Sequence, residues 1–129
     1  RTLTIINFKE MQRVILLLCL VFSFIACDAI IEVVDISEKT VSIIAPTNNS
    51  VIDTAAVTFT WNAIEDTEQY KLQVATPTFE NASQILVDTI IAKTNYSKTL
   101  EAADYQWRVR AENSDYQTVF TVNSFTVEE

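Results

Sequence analysis

Apolar and polar residues alternate in short runs through most of the chain after residue 40. Val57, Phe59 and Trp61 are spaced by Thr58 and Thr60, and Tyr70, Leu72 and Val74 by Lys71 and Gln73. Tyr105, Trp107, Val109 and Ala111 are spaced by Gln106, Arg108 and Arg110. A strand sends successive side chains to opposite faces, so each run predicts a half-buried strand with one wet side. Weaker runs over 41–45, 85–91, 95–100 and 119–127 bring the set to seven. In the last of these, Phe120 and Val122 fall out of step with Phe125 and Val127, which predicts a bulge or bend. No stretch after Thr40 keeps a 3.6-residue period. Turn-forming pieces punctuate the runs: Pro46 to Ser50, Glu65 to Glu68, Pro77 to Ser83 and Glu112 to Asp115. The pattern predicts an all-β antiparallel sandwich of about seven strands, with a small barrel as the alternative.

The same parity selects the core. Phe59, Trp61, Tyr70, Leu72, Val74, Leu100, Tyr105, Trp107, Val109 and Phe125 are expected to meet between the sheets. Glycine is absent from the 129 residues, where average usage would supply roughly nine. Turns that need positive φ must therefore rely on Asn and Asp. Every glycine-dependent phosphate or dinucleotide cradle is excluded with it.

A different pattern precedes residue 28. Met11-Gln12-Arg13 leads into an apolar run of 13 residues, Val14 to Ala26, closed by Cys27 and Asp28. A basic start, a short apolar stretch and a small residue before the break predict an export signal. The run is too short for a spanning helix, which takes about 20 residues. Phe24-Ile25-Ala26-Cys27 resembles the bacterial lipobox, with Phe24 departing from the usual aliphatic residue. The resemblance implies cleavage before Cys27, diacylglycerol on its sulfur, and attachment to membrane lipid through it. The expected organisation is residues 1–26 as upstream residues and signal, 27–39 as lipidated cysteine and tether, and 40–129 as the sandwich. Cys19 would leave with the signal, so the mature domain must fold without a disulfide.

Charge narrows the partners. From Asp28 onward there are 6 basic and 16 acidic residues, a net charge of −10. Such a surface repels phosphate backbones, so no nucleic-acid partner is expected. It also favours solubility over self-association, and a monomer is expected.

The string Val57-Thr58-Phe59-Thr60-Trp61, then Tyr70-Lys71-Leu72-Gln73-Val74, then Tyr105-Gln106-Trp107-Arg108-Val109-Arg110-Ala111 resembles a bacterial fibronectin type III domain of the kind common in Bacteroidetes. The resemblance spans about residues 40–129. It implies an immunoglobulin-like sandwich in which Trp61 takes the tryptophan position of the second strand and Tyr105 the tyrosine corner. It departs from the family in its missing turn glycines, with Asn49 and Glu101-Ala102-Ala103-Asp104 where glycine is usual.

Little in the sequence suggests catalysis. There is no His, and no serine or threonine has an evident activating partner, so no catalytic residue, cofactor or metal site is expected. Glu65, Asp66 and Glu68 read as a solvated acidic turn. The strands carrying Lys71 and Gln73 and carrying Arg108 and Arg110 are neighbours in the family's order. These four residues are therefore the candidate interaction face, with Asp88 available for pairing. Asp53-Thr54-Ala55 and Asp88-Thr89-Ile90 resemble Bacteroidetes O-glycosylation acceptors, making Thr54 and Thr89 candidate sites. The expected function is a non-catalytic envelope lipoprotein, at the outer membrane and facing periplasm or cell surface, that acts as an interaction or spacer module. The alternative is a carbohydrate-binding accessory of a polysaccharide-utilisation system. The partner, protein or carbohydrate, is not identified by the sequence.

Overall fold

A computed structural model of the chain describes residues 7–23 and 30–129. The chain divides into two compact units between Glu32 and Val33. In the first, helix α1 spans Phe8–Ser23 and takes up most of the apolar run. No helix among the described residues is long and apolar enough to cross a membrane. Cys27, the expected lipidation site, lies outside the described residues.

The second unit holds eight strands: β1 (Ile43–Ala45), β2 (Ser50–Ile52), β3 (Ala56–Trp61), β4 (Gln69–Thr76), β5 (Gln84–Ile91), β6 (Asn95–Thr99), β7 (Ala103–Glu112) and β8 (Thr121–Val127). They form a three-stranded sheet, β1-β3-β6, and a five-stranded sheet, β2-β8-β7-β4-β5. Alternation in β3, β4 and β7 turns their large apolar residues inward. All ten expected core residues are buried, joined by Val41, Val57, Val87, Ala111 and Val127. The aromatic centre is tightly interlocked: Phe59 meets Trp107 edge-on at 4.9 Å between ring centroids, and Trp61 meets Tyr70 at 5.6 Å.

The eighth strand, β2, begins where only a turn is expected. It runs parallel to β8, with Ser50 opposite Phe125 and Ile52 opposite Val127, so the sandwich is mixed and not wholly antiparallel. Three residues are too few for alternation to show. What creates the strand is the turn before it: Asn49 takes φ 62°, and its N–H donates to Ser124 O at 2.6 Å. Asp66 likewise takes φ 65°, so Asn and Asp supply the left-handed turns that glycine usually fills. An Asn49→Ala substitution should cost about 1 kcal/mol, because a Cβ-bearing residue without a local polar side chain resists this region. Asn49→Gly should stay close to the parent. Urea unfolding of the pair checks this.

β8 carries no bulge. Its register against β7 runs unbroken from Thr121 to Val127. Phe120 and Val122 lie on the outer side, and the inward place between Thr121 and Phe125 is taken by polar Asn123, whose amide donates to Pro46 O at 3.2 Å. That inward polar residue makes the alternation look shifted. Register shifts fall instead between Val74 and Ala75, where β4 meets β5, and between Ile43 and Ala45, where β1 meets β3.

Ile36 lies in the stretch expected as tether, yet it is fully buried. A local turn seats it: the Asp35 carboxylate accepts hydrogen bonds from the Ser37 N–H and hydroxyl, and the Lys39 N–H returns to Ile36 O at 2.9 Å. Those bonds favour the charged form, holding Asp35 below the usual carboxylate range.

The tyrosine corner forms as expected. The Tyr105 hydroxyl donates to Glu101 O at 2.7 Å. Burial, and then the Glu101 charge, push its pKa above the ordinary tyrosine value. A phenol that ionises less readily in the folded chain contributes stability fully present below pH about 10 and lost as pH rises further. Tyr105→Phe should lose about 0.5–1.5 kcal/mol near neutrality and should show a shallower alkaline decline than the parent in melts taken across pH 9–12.

Candidate functional site

The register of β4 against β7 decides where the charged residues of these strands go. Gln73 stands opposite Arg108, and Lys71 opposite Arg110. All four expected face residues therefore gather on the outer side of the five-stranded sheet. β5 continues the rungs with Asp88 opposite Gln73 and Ile90 opposite Lys71, while β8 places Val122 opposite Arg108.

Hydrogen bonds order this face. The Arg108 Nε–H donates to Gln73 Oε1 at 2.7 Å, and the Gln73 amide donates onward to Asp88 Oδ1 at 3.1 Å. Lys71 Nζ approaches the same carboxylate oxygen at 3.9 Å, the pairing with Asp88 that the sequence suggests. On the next rung the Arg110 Nε–H donates to Glu112 Oε2 at 2.8 Å, and Gln69 Nε2 donates to Glu112 Oε1 at 3.1 Å. These bonds fix the side chains more than they stabilise the fold, since partly exposed ion pairs contribute little.

Two aromatic residues complete the face, and sequence reasoning did not place them there. The Arg108 guanidinium lies 4.1 Å from the centroid of Phe79 and 4.5 Å from that of Phe120, and Arg110 lies 4.6 Å from the same Phe120. Phe79 comes from the loop after β4, pinned over the sheet because its N–H donates to Gln106 Oε1 at 2.9 Å. Phe120 shares its parity with outward Val122, and a count back from inward Phe125 through Asn123 and Thr121 also leaves it on the outer side. The expected bulge hid this by allowing the alternation to shift between Val122 and Phe125. Nothing in the loop sequence of Phe79 marks it for this role.

The remaining candidates are scattered. Thr54 is exposed in the turn before β3, its hydroxyl donating to Ala56 O at 3.1 Å. Thr89 is half-buried in β5, opposite inward-facing Leu72. Glu65 and Asp66 lie at one end of the sandwich, where Lys39 Nζ reaches Glu65 O at 3.3 Å and Asp66 Oδ2 at 3.9 Å. Asn113 laces this end together, donating to Val34 O and Asp66 O while accepting from the Tyr116 N–H. Among the described residues no group of three His, Cys, Asp or Glu side chains is placed to hold a metal ion.

No family model matches the chain, and no curated protein matches it. Solved structures do. The structure described as FN3tt superposes with a TM-score of 0.50 at 17% identity, covering 69% of this chain and 97% of that one. This is a fibronectin type III-like sandwich. A fibronectin type III-like protein from Clostridium thermocellum shares 20% identity over 70% of this chain and 90% of its own, with a TM-score of 0.46. In the fibronectin type III-like domain described here, the ordered face occupies the middle of the larger sheet. It is a surface of cations and rings held by these contacts, with apolar Val122 and Ile90 at its margins. Chemically such a surface can bind and orient a partner, since Arg and aromatic residues are the side chains enriched where proteins meet.

Proposed function

We propose that the chain is a non-catalytic interaction or spacer module, carried on a bacterial envelope lipoprotein of Bacteroidetes type. The carrying observation is the outer sheet face, where Arg108 is held between Phe79 and Phe120 and hydrogen-bonded through Gln73 to Asp88. Order of this kind at a partly exposed surface suits recognition, because side chains already fixed lose less entropy on binding. The export-like leader and the lipobox-like ending at Cys27 support anchoring by lipid, for which two or more acyl chains suffice. Membrane attachment at the outer membrane, toward the periplasm or the cell surface, follows from that reading. A carbohydrate partner is less favoured, since Phe79 and Phe120 already hold guanidinium groups where a sugar ring would have to stack.

The anchoring is tested by metabolic labelling. The parent, expressed with its leader in a bacterial host, should incorporate labelled fatty acid, and Cys27→Ala should lose the label and its membrane partition. Equal membrane partition without the cysteine would overturn the lipoprotein reading.

A further inference from the structure

Within the net charge of −10 from Asp28 onward, three of the six basic residues, Lys71, Arg108 and Arg110, share two adjacent rungs of one sheet face. Lys71 stands directly opposite Arg110, a placement that costs stability when both residues carry the same charge. Arg108 and Arg110 are brought against a single ring, that of Phe120. Their two carboxylate neighbours do not relieve this crowding fully. Glu112 is engaged with Arg110 through Nε, and Asp88 is shared between Gln73 and Lys71. Arg108 and Arg110 each donate to the described residues only through Nε, so their forks of terminal nitrogens, the part of Arg that matches a carboxylate, carry no hydrogen bond there.

We infer that this face docks an extended acidic polypeptide segment whose carboxylates recur at every second residue. The spacing argument is direct. Arg108 and Arg110 are two residues apart on β7, and an extended chain repeats each face at about 6.6–6.8 Å. A partner strand laid along β7 would bring successive same-face carboxylates over successive guanidinium forks, with Lys71 beside the second. Exposed Val122 and Ile90, each about half open to solvent at 44% and 54%, border the cations on either side. In an extended segment whose carboxylates face the guanidinium forks the intervening residues turn away from the sheet, so Val122 and Ile90 meet the methylene stems of the acidic side chains and offer nothing to a sulfated or uronic polysaccharide. The acidic remainder of the domain would repel the same segment elsewhere, which confines it to this face. The inference rests on the reading of the domain as an interaction module and names the chemistry of its partner.

The experiment titrates the full chain, labelled with 15N and held in a neutral detergent, with three probes. These are a synthetic peptide alternating Glu and Val, a peptide of the same composition with its Glu residues in one block, and a heparin oligosaccharide. The alternating peptide is expected to shift the Nε–H signals of Arg108 and Arg110 and to bind about tenfold more tightly than the block peptide, one lost fork contact being worth about that factor. Arg110→Lys, which keeps the charge and removes the fork, should weaken it several-fold, and Lys98→Gln on β6 of the other sheet should change nothing. Equal binding of the two peptides, tighter binding of heparin, or an unaffected Arg110→Lys would each overturn the inference. If Arg110→Lys does not fold, the three probes on the parent still decide. Fatty-acid labelling at Cys27 reads the anchoring separately, so loss of peptide binding with labelling intact removes this partner and leaves the module anchored.

Discussion

Replacing Trp107 with alanine is expected to lower the unfolding free energy by about 3–5 kcal/mol. Trp107 has no exposed surface and sits where both sheets converge, edge-on to Phe59 at 4.9 Å and 6.3 Å from Trp61. Its indole N–H donates to Pro46 O at 3.3 Å, so truncation removes packing and a hydrogen bond together. Trp61 makes a useful contrast: its buried indole nitrogen has no hydrogen-bond partner among the described residues. A small domain holds a total of about 5–15 kcal/mol, so the loss at Trp107 removes a large share of it. Arg108→Ala, the next residue on the opposite face, should cost about 1 kcal/mol. It is more than a bare surface position because it gives up Gln73 and the two Phe contacts. Denaturant unfolding of the two variants side by side provides the check, and similar losses would mean the facing of β7 is misassigned.

Ile36→Ala is expected to cost about 2–5 kcal/mol, although the residue lies ahead of the first strand. Ile36 is fully buried in the same cluster as Phe59 and Leu72, and its removal leaves a cavity that the short lead cannot collapse into. A chain trimmed to begin at residue 40 should melt lower than one beginning at residue 33 for the same reason. It loses Ile36 and the Asn113 bond to Val34 O. Equal melting temperatures for the two lengths would show that Ile36 is a passenger.

These two residues mark how much could be read in the sequence. Trp107 belongs to a ten-residue strand in which every second side chain is apolar, and that regularity is enough to predict strand, facing and burial together. The same holds for Val57, Phe59 and Trp61 and for Tyr70, Leu72 and Val74. Ile36 stands among acidic residues in a segment richer in β-branched residues than a flexible linker, but with no alternation to single it out, and a turn made by the Asp35 carboxylate folds it inward. Short or non-local features were equally hidden: β2 has three residues and a partner 75 positions away, Ser50 opposite Phe125. For the face, parity together with the strand order implied by the family resemblance gathered Lys71, Gln73, Arg108 and Arg110. These were insufficient for Phe79, which arrives from a loop, and for Phe120, whose outward facing is disguised by Asn123 occupying an inward place.

The parallel pairing of β2 with β8 has a mechanical consequence. The ladder is framed by the Asn49 N–H bond to Ser124 O and the Glu128 N–H bond to Ile52 O at 2.8 Å. Chain coming from β1 enters β2 at its start, and β8 ends the strand order at its own C-terminal end. Under the proposed N-terminal anchoring, tension between the two ends of the domain therefore acts along both strands in opposite senses. The bonds of this short ladder would share such a load in shear, whereas an antiparallel hairpin pulled at its open end unzips one bond at a time.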